Sequence, residues 1–172
     1  GPQKIEFARY IFDASRSSEN VRLSTLPLHF VNVGGARTNI TSCKLYDGDT
    51  AVTTGGNVKN PASGETPEAT TFTFDNGGFV IPEGNIKTLS LKCNLGTGTT
   101  GNTYTWGIDG GQQTSYTGAT GVETGLTVAE TLVDNSGSTM TAAGSGGYTV
   151  SEDTSLIYRL VQAGSSDVEL AR

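Results

Sequence analysis

Histidine, methionine and tryptophan each occur once in the 172 residues, cysteine twice, and proline five times. One His and two Cys far apart in the chain exclude the usual zinc sets. The single His29 lies between Leu28 and Phe30 in an apolar run, which reads as a strand histidine rather than a catalytic one, and no Ser-His-Asp arrangement can be argued from it. Charge is scarce as well, at 16% of residues, and the 11 basic residues are outnumbered by 17 acidic ones. Without a cluster of Lys and Arg to neutralise phosphates, nucleic acid is not an expected partner. No stretch of 18 apolar residues occurs, so direct membrane insertion by a helix is not expected, and no charged-then-apolar leader is present. Gly1-Pro2 has the form of a scar left by protease removal of a purification tag, so the missing leader carries little information. Neither a dinucleotide nor a Walker phosphate motif stands in a strand-to-helix setting.

What the chain has in excess is small and β-favouring. Gly, Thr and Ser number 24, 26 and 15, so they make up 65 of the 172 residues. Gly costs about 1 kcal/mol per helical site, and Thr is a poor helix former but a good strand former. A helical bundle is thereby ruled out and α/β made improbable. An apolar content of 34% invites a disordered reading, but the net charge is only −6 and the apolar residues are grouped.

Alternating runs mark strands at 4–12, 21–33, 40–46, 51–54, 69–74, 78–81, 86–95, 103–108, 121–133 with a break, 138–142, 147–150, 155–162 and 167–171. Turn signals such as Asp47-Gly48, Asn76-Gly77 and Pro82-Glu83-Gly84 separate them. Pro27 inside the second run demands a bulge, a change of sheet or an edge position. Many short strands at this spacing predict an all-β antiparallel sandwich of Ig-like type, with long decorated loops in its second half. A composition shift near residue 96 leaves room for a loop-rich sub-unit at 97–150 within one domain spanning 3–166.

Cys43 shares a strand face with Leu45, and Cys93 shares one with Leu89, Leu91 and Leu95, so both point to the core. They can meet across a sandwich as a disulfide, closing a loop of about 50 residues worth roughly 4 kcal/mol and implying an oxidising compartment, or stand as two buried free thiols. Asp47 and Asp49, in a tight turn, are the first place to look for Ca²⁺, with Asp75-Asn76, Asp109 and Asp134-Asn135 behind them; the loop spacing of a calcium hand is absent, and hairpin turns favour Asp and Asn anyway. No other cofactor is expected. The acid pairs Glu65/Glu68 and Glu152/Asp153 lie in polar loops and read as solvated. Lys4 and Asp167 form the terminal pair for an internal amide bond, in surroundings too polar for that chemistry. Asn39-Ile40-Thr41 is formally a glycan acceptor. Among the aromatics, Trp106 falls on one face with Tyr104 and Ile108 and reads as core, whereas Tyr116, among Gln, Ser, Thr and Gly, is the one expected to be exposed for glycan contact.

Ile5-Glu6-Phe7-Ala8-Arg9 and Val168-Glu169-Leu170-Ala171-Arg172 match position for position at an offset of 163. Residues 167–172 then read as a last strand or as the start of the next tandem copy, with the offset as repeat period. Two similar edge strands arising independently is the alternative.

The run over 72–95, with Ile81-Pro82-Glu83-Gly84 followed by Lys87-Thr88-Leu89-Ser90-Leu91-Lys92, resembles a module repeated in tandem in very large surface proteins of uncultured, small-genome bacteria. The likeness extends to Phe12-Asp13-Ala14-Ser15 with the strand after it, to Tyr104-Thr105-Trp106-Gly107-Ile108 and to residues 158–164. It implies an Ig-like sandwich repeat of a secreted or cell-surface protein, a non-enzymatic spacer with an adhesive side, whose partners are neighbouring copies of itself and a surface glycan or protein ligand. The other readings open are a carbohydrate-binding module using Tyr116 or Trp106, and a filament or capsid subunit that assembles by exchange of its terminal strand.

Overall fold

Period-two alternation decides which side of each strand meets the core, and β8 (Ile86–Leu95) obeys it most fully. Leu89, Leu91 and Cys93 are wholly buried while Ser90 and Lys92 between them stay half-exposed. In the computed structural model, which describes residues 1–62, 70–108, 116, 118–133 and 137–144, the other strands are β1 (Ile5–Asp13), β2 (Val21–Leu23), β3 (Thr25–Val33), β4 (Ile40–Asp47), β5 (Thr50–Ala51), β6 (Thr70–Thr73), β7 (Phe79–Ile81), β9 (Thr103–Gly107), β10 (Ala119–Gly121) and β11 (Met140–Thr141). The fold is all-β, an antiparallel sandwich. Among the described residues its sheets run in the orders β1-β8-β4-β5, β10-β2-β7 and β11-β9-β3-β6.

The second and third sheets are consecutive along the chain, because only Ser24 separates β2 from β3. Ser24 is pinned there: its N–H and hydroxyl both donate to the Gly118 carbonyl, and its own carbonyl accepts from Phe74. Opposite this one residue the facing stretch between β6 and β7 spends residues 74–78, including the turn Asp75–Gly77 with Asn76 at φ 54°. Asn tolerates that left-handed conformation better than most residues. The same stretch resolves Pro27. Since Phe74 bonds to Ser24, alternate residues 26 and 28 continue the ladder to β6, and the Pro27 nitrogen points the other way. On that side β9 pairs with residues 29–33 among those described, so Pro27 takes a donor from none of the described pairings.

Cys43 and Cys93 are bonded, with Cα atoms 4.1 Å apart. They belong to neighbouring strands of one sheet, β4 and β8, and do not cross the sandwich as the sequence reading supposed. Alternation fixes the face a side chain takes but not the strand beside it. The pairing depends on a bulge: Thr41 faces Asn94 and Lys44 faces Lys92, so Ser42 and Cys43 together oppose Cys93. Ser42 takes a φ of 54°, and the Cys43 N–H and C=O turn outward to exchange bonds with Lys59. The extra residue also lets Ile40 and Cys43, three positions apart, both lie fully buried.

The two layers share one core. Phe7 of β1 meets Tyr104 of β9 edge-on at 6.3 Å, and Trp106 packs on Phe30 at 4.7 Å and Phe72 at 6.1 Å. The described part of 97–150 pairs with β2 and β3 and supplies Tyr104, Trp106, Ala119 and Ala142 to that core. Its strands are short, from two to five residues. The strand read at 121–133 is not one: Gly121 ends β10, a turn follows, and only Thr127 returns as an isolated bridge to Thr120. The runs at 147–150, 155–162 and 167–171 lie outside the described residues.

Replacing both cysteines by Ser releases a loop with a sequence separation of 50. The expected loss is roughly 4 kcal/mol of unfolding free energy in the chain-entropy model, read from urea midpoints of the oxidised protein and the double variant. Equal midpoints would sink the idea that the bond holds β4 to β8.

Candidate functional site

A concavity of about 900 Å³ runs beside β1. Its walls are β1, the inward residues of β2, the end of β9 at Trp106, and the irregular segment 128–133. Side chains of both faces of β1 line it, Tyr10 from the inner and Ile11 from the outer, so it follows the edge of that strand. Ile11 is 71% exposed, and Val133 across the groove is more exposed still.

Two polar atoms in these walls are buried with no hydrogen-bond partner, Tyr10 Oη and Trp106 Nε1. Such groups are uncommon because each loses its hydration without return. Burial, and after it the neighbouring Tyr116 phenol, hold the Tyr10 hydroxyl far above its ordinary range, so it remains a neutral donor at any working pH. Glu130, half-buried at the same groove, is pushed up by burial, against the hydrogen bonds that Ala119 and Gly118 direct at it. The groove is therefore mainly apolar with two buried, neutral hydrogen-bonding groups.

The glycan platforms are not where a glycan platform must be. Tyr116 was expected on the surface and is 6% exposed, and Trp106 is 1% exposed beneath Phe30 and Phe72. Both line the groove from within the core, with no ring face on the outer surface. Local polarity around Tyr116 misleads because burial is set by what packs on the residue, not by its chain neighbours.

The oxygen-rich turns are also placed. Gly48 and Asp49 form the two-residue loop of the β4–β5 hairpin, Gly48 at φ 60° as such loops require at their first position. Asp47 lies at the foot of that loop with its Oδ2 2.8 Å from Lys87 Nζ, and Asp49 is exposed at its tip. Asp75 accepts from Thr54 N–H, Thr54 Oγ1 and Asn57 Nδ2, binding the turn at 75–77 to the one at 55–57. No group of three or more His, Cys, Asp or Glu gathers as a metal cluster among the described residues. His29 is half-buried on β3 opposite Gly107. Lys4 is exposed, its N–H donating to Asn94 Oδ1, while Asp109, Asp134, Glu65, Glu68, Glu152, Asp153 and Asp167 fall outside the described residues. Sequence reasoning missed Tyr10, whose signal was the doubled apolar character of Tyr10-Ile11-Phe12 next to an alternating start.

These features define a disulfide-clamped antiparallel sandwich with an apolar groove along one edge strand. No family model, curated protein or solved structure matches the chain. Among the described residues no helix is long and apolar enough to cross a membrane.

Hydrogen bonds from Asn57 first, then Thr54, hold the Asp75 carboxyl below its ordinary range. A depressed folded value means stability that is present above the unfolded pKa, about 4, and lost as pH falls through the folded value. Asp13 and Glu19 are lowered by hydrogen bonds from Ser15 and Thr124 and act in the same direction. Asp75→Asn is expected to be less stable than the parent at pH 7, with the gap narrowing at pH 3. Urea midpoints at both pH values check this, and a gap of constant size would refute it.

Proposed function

We propose that this chain is a non-enzymatic structural module of a secreted or cell-surface repeat protein, a spacer in which Ig-like copies follow one another with almost no linker. The observation that carries the reading is the place of the self-matching motif. Ile5-Glu6-Phe7-Ala8-Arg9 opens β1, a nine-residue strand integral to the first sheet, and its counterpart at 168–172 recurs at an offset of 163. A tandem array whose first strand begins where the preceding copy's last strand ends would produce that match. An array joined through strands is stiff, because no Gly/Ser linker lets the units reorient.

Three further features support it. The Cys43–Cys93 bond suits an oxidising setting outside the cytosol. Several acidic residues bind turns and strands together: Glu19 accepts from Glu123 N–H, Thr124 N–H and Thr124 Oγ1, and Asp75 accepts from Thr54 and Asn57. Low charge with abundant Thr gives strands that are polar outside without being highly charged.

A protein carrying two copies joined at the 163-residue spacing should scatter X-rays as a rod of twice the single-copy length. A profile fitted only by freely jointed units would overturn the spacer reading, as would a single copy that turns over substrate in an unbiased hydrolase screen.

A further inference from the structure

Protein interiors pack as densely as organic crystals and hold few voids larger than a water molecule. Beside β1, however, about 900 Å³ opens between that strand, β2, the end of β9 and residues 128–133. Small-molecule sites span roughly 300–1,000 Å³ and are walled mainly by apolar side chains with a few fixed polar groups. The groove has that composition. Phe7, Tyr10, Leu23, Leu26, Trp106 and Tyr116 all line it and are themselves buried. Two of them carry a polar atom with no hydrogen-bond partner, Tyr10 Oη and Trp106 Nε1. Folding has already stripped the water from both atoms, so an acceptor that meets either one restores a hydrogen bond with no further loss of hydration from the protein. Charge narrows the class of ligand. Arg9, Asp13 and Arg16 line the groove and are exposed, and Arg9 is held by Glu6 at 2.7 Å. Glu130, half-buried in the same wall, accepts from the Ala119 N–H. An anion would lie against Asp13 and Glu130 and a cation against Arg9 and Arg16, so an uncharged body suits these walls best.

We propose that the groove binds an uncharged, largely apolar small molecule that carries a carbonyl oxygen, with the Tyr10 hydroxyl as first donor to that oxygen and the Trp106 N–H as a second donor in the same wall. Both donor atoms are covered in the free protein, so the side chains around them adjust as the ligand seats, a change of rotamer without backbone movement being common at binding surfaces. The hydroxyl rather than the indole is the atom to test, because Phe replaces Tyr without altering the ring that packs in the core. This inference goes beyond the spacer reading and does not rest on it. A rod-like array and a ligand held inside each copy are read by separate measurements, and either can fail alone.

Benzophenone, a carbonyl between two phenyl rings, and diphenylmethane, the same frame with a methylene in its place, make a matched pair of probes. Trp106 is the only tryptophan and lies in the groove wall, so its quenching reports benzophenone directly and diphenylmethane by displacement. Benzophenone should saturate one site and bind roughly three- to tenfold more tightly than diphenylmethane, the worth of one hydrogen bond. Tyr10→Phe should weaken benzophenone by a similar factor and leave diphenylmethane unchanged. It should also leave the urea midpoint of the free protein no lower, since the hydroxyl it removes has no partner there. Near-ultraviolet irradiation of the complex adds the ketone across a neighbouring C–H bond with every atom retained, and the adduct should appear in the tryptic peptide 10–16, which supplies Tyr10, Ile11, Phe12 and Arg16 to the groove. No saturable binding of benzophenone, or equal affinities for the two probes, would overturn the proposal. So would adducts confined to residues 38–59, which contribute nothing to the groove walls, or a Tyr10→Phe protein that loses both probes alike or unfolds in less urea. The two wild-type affinities and the adduct map test the proposal without any variant.

Discussion

The first sheet is organised by β8 and by the covalent bond that fixes one of its neighbours. β8 pairs along its length with β1 on one side and β4 on the other, and Cys43–Cys93 locks the second pairing at the point where a bulge would otherwise let it slip. A one-residue slip of a strand reverses which side chains face the core. In β4 the slip has been built in: Ser42 is the extra residue, and beyond it Leu45 and Cys43 face inward together with Ile40. With the bond in place, one register survives, and Leu89, Leu91 and Cys93 are held against Leu28, Phe72 and Trp106 in a single core. β1 carries a similar irregularity between Glu6 and Ala8, which changes the phase of its alternation before Tyr10 and Phe12.

How much of this could be read in the chain follows from what alternation encodes. The face of a residue is local, so the inward side of β8 was legible from Leu89-Ser90-Leu91-Lys92-Cys93, as was the core position of Trp106 with Tyr104. The identity of the neighbouring strand is not local, so the sequence left open a disulfide across the layers or two free thiols, whereas the bond lies within one layer. Bulges are equally silent, because Ser42 at φ 54° is an ordinary serine in the sequence and its conformation is imposed by the pairs on either side. The run at 121–133 failed for a related reason. Its apolar residues Val122, Leu126, Val128 and Leu132 suggest a strand, but Gly121 and Gly125 close a turn in which Gly125 donates to the Gly121 carbonyl, and the backbone beyond has only a bridge to offer.

The candidate site was the least legible part. Tyr116 looked exposed because its neighbours are Gln, Ser, Thr and Gly, yet it lies at the bottom of the groove near Tyr10. A groove along a strand edge is made by elements far apart in sequence, here β1, β2, β9 and the stretch at 128–133, so no short window contains it. The acidic turns were legible as turns, and what their carboxylates do was not. Asp75 and Asp47 are ligands for donors within the fold, Thr54 and Asn57 in one case and Lys87 in the other, and such pairings appear only when distant loops are brought together.

The excess of threonine, at first only an argument against helices, has a positive explanation in the interior. The buried polar or charged residues among those described are Thr53, Thr70 and Thr99, all threonines. Each stands at the end of a strand or in the connection beyond it. β5 ends at Ala51, and the Leu45 N–H that would have continued the ladder donates to Thr53 Oγ1 instead. Thr70, the first residue of β6 and paired with Leu28, accepts at Oγ1 from Ala62 N–H, and Thr99 Oγ1 donates to the Gly96 carbonyl between β8 and β9. A hydroxyl on a β-branched side chain can replace a missing backbone partner while its methyl group packs like that of Val. Short strands with many ends leave many such orphaned groups, and an unpaired buried peptide group costs about as much as a lost hydrogen bond. A sandwich made of strands two to ten residues long therefore needs Thr inside as well as Gly in its turns.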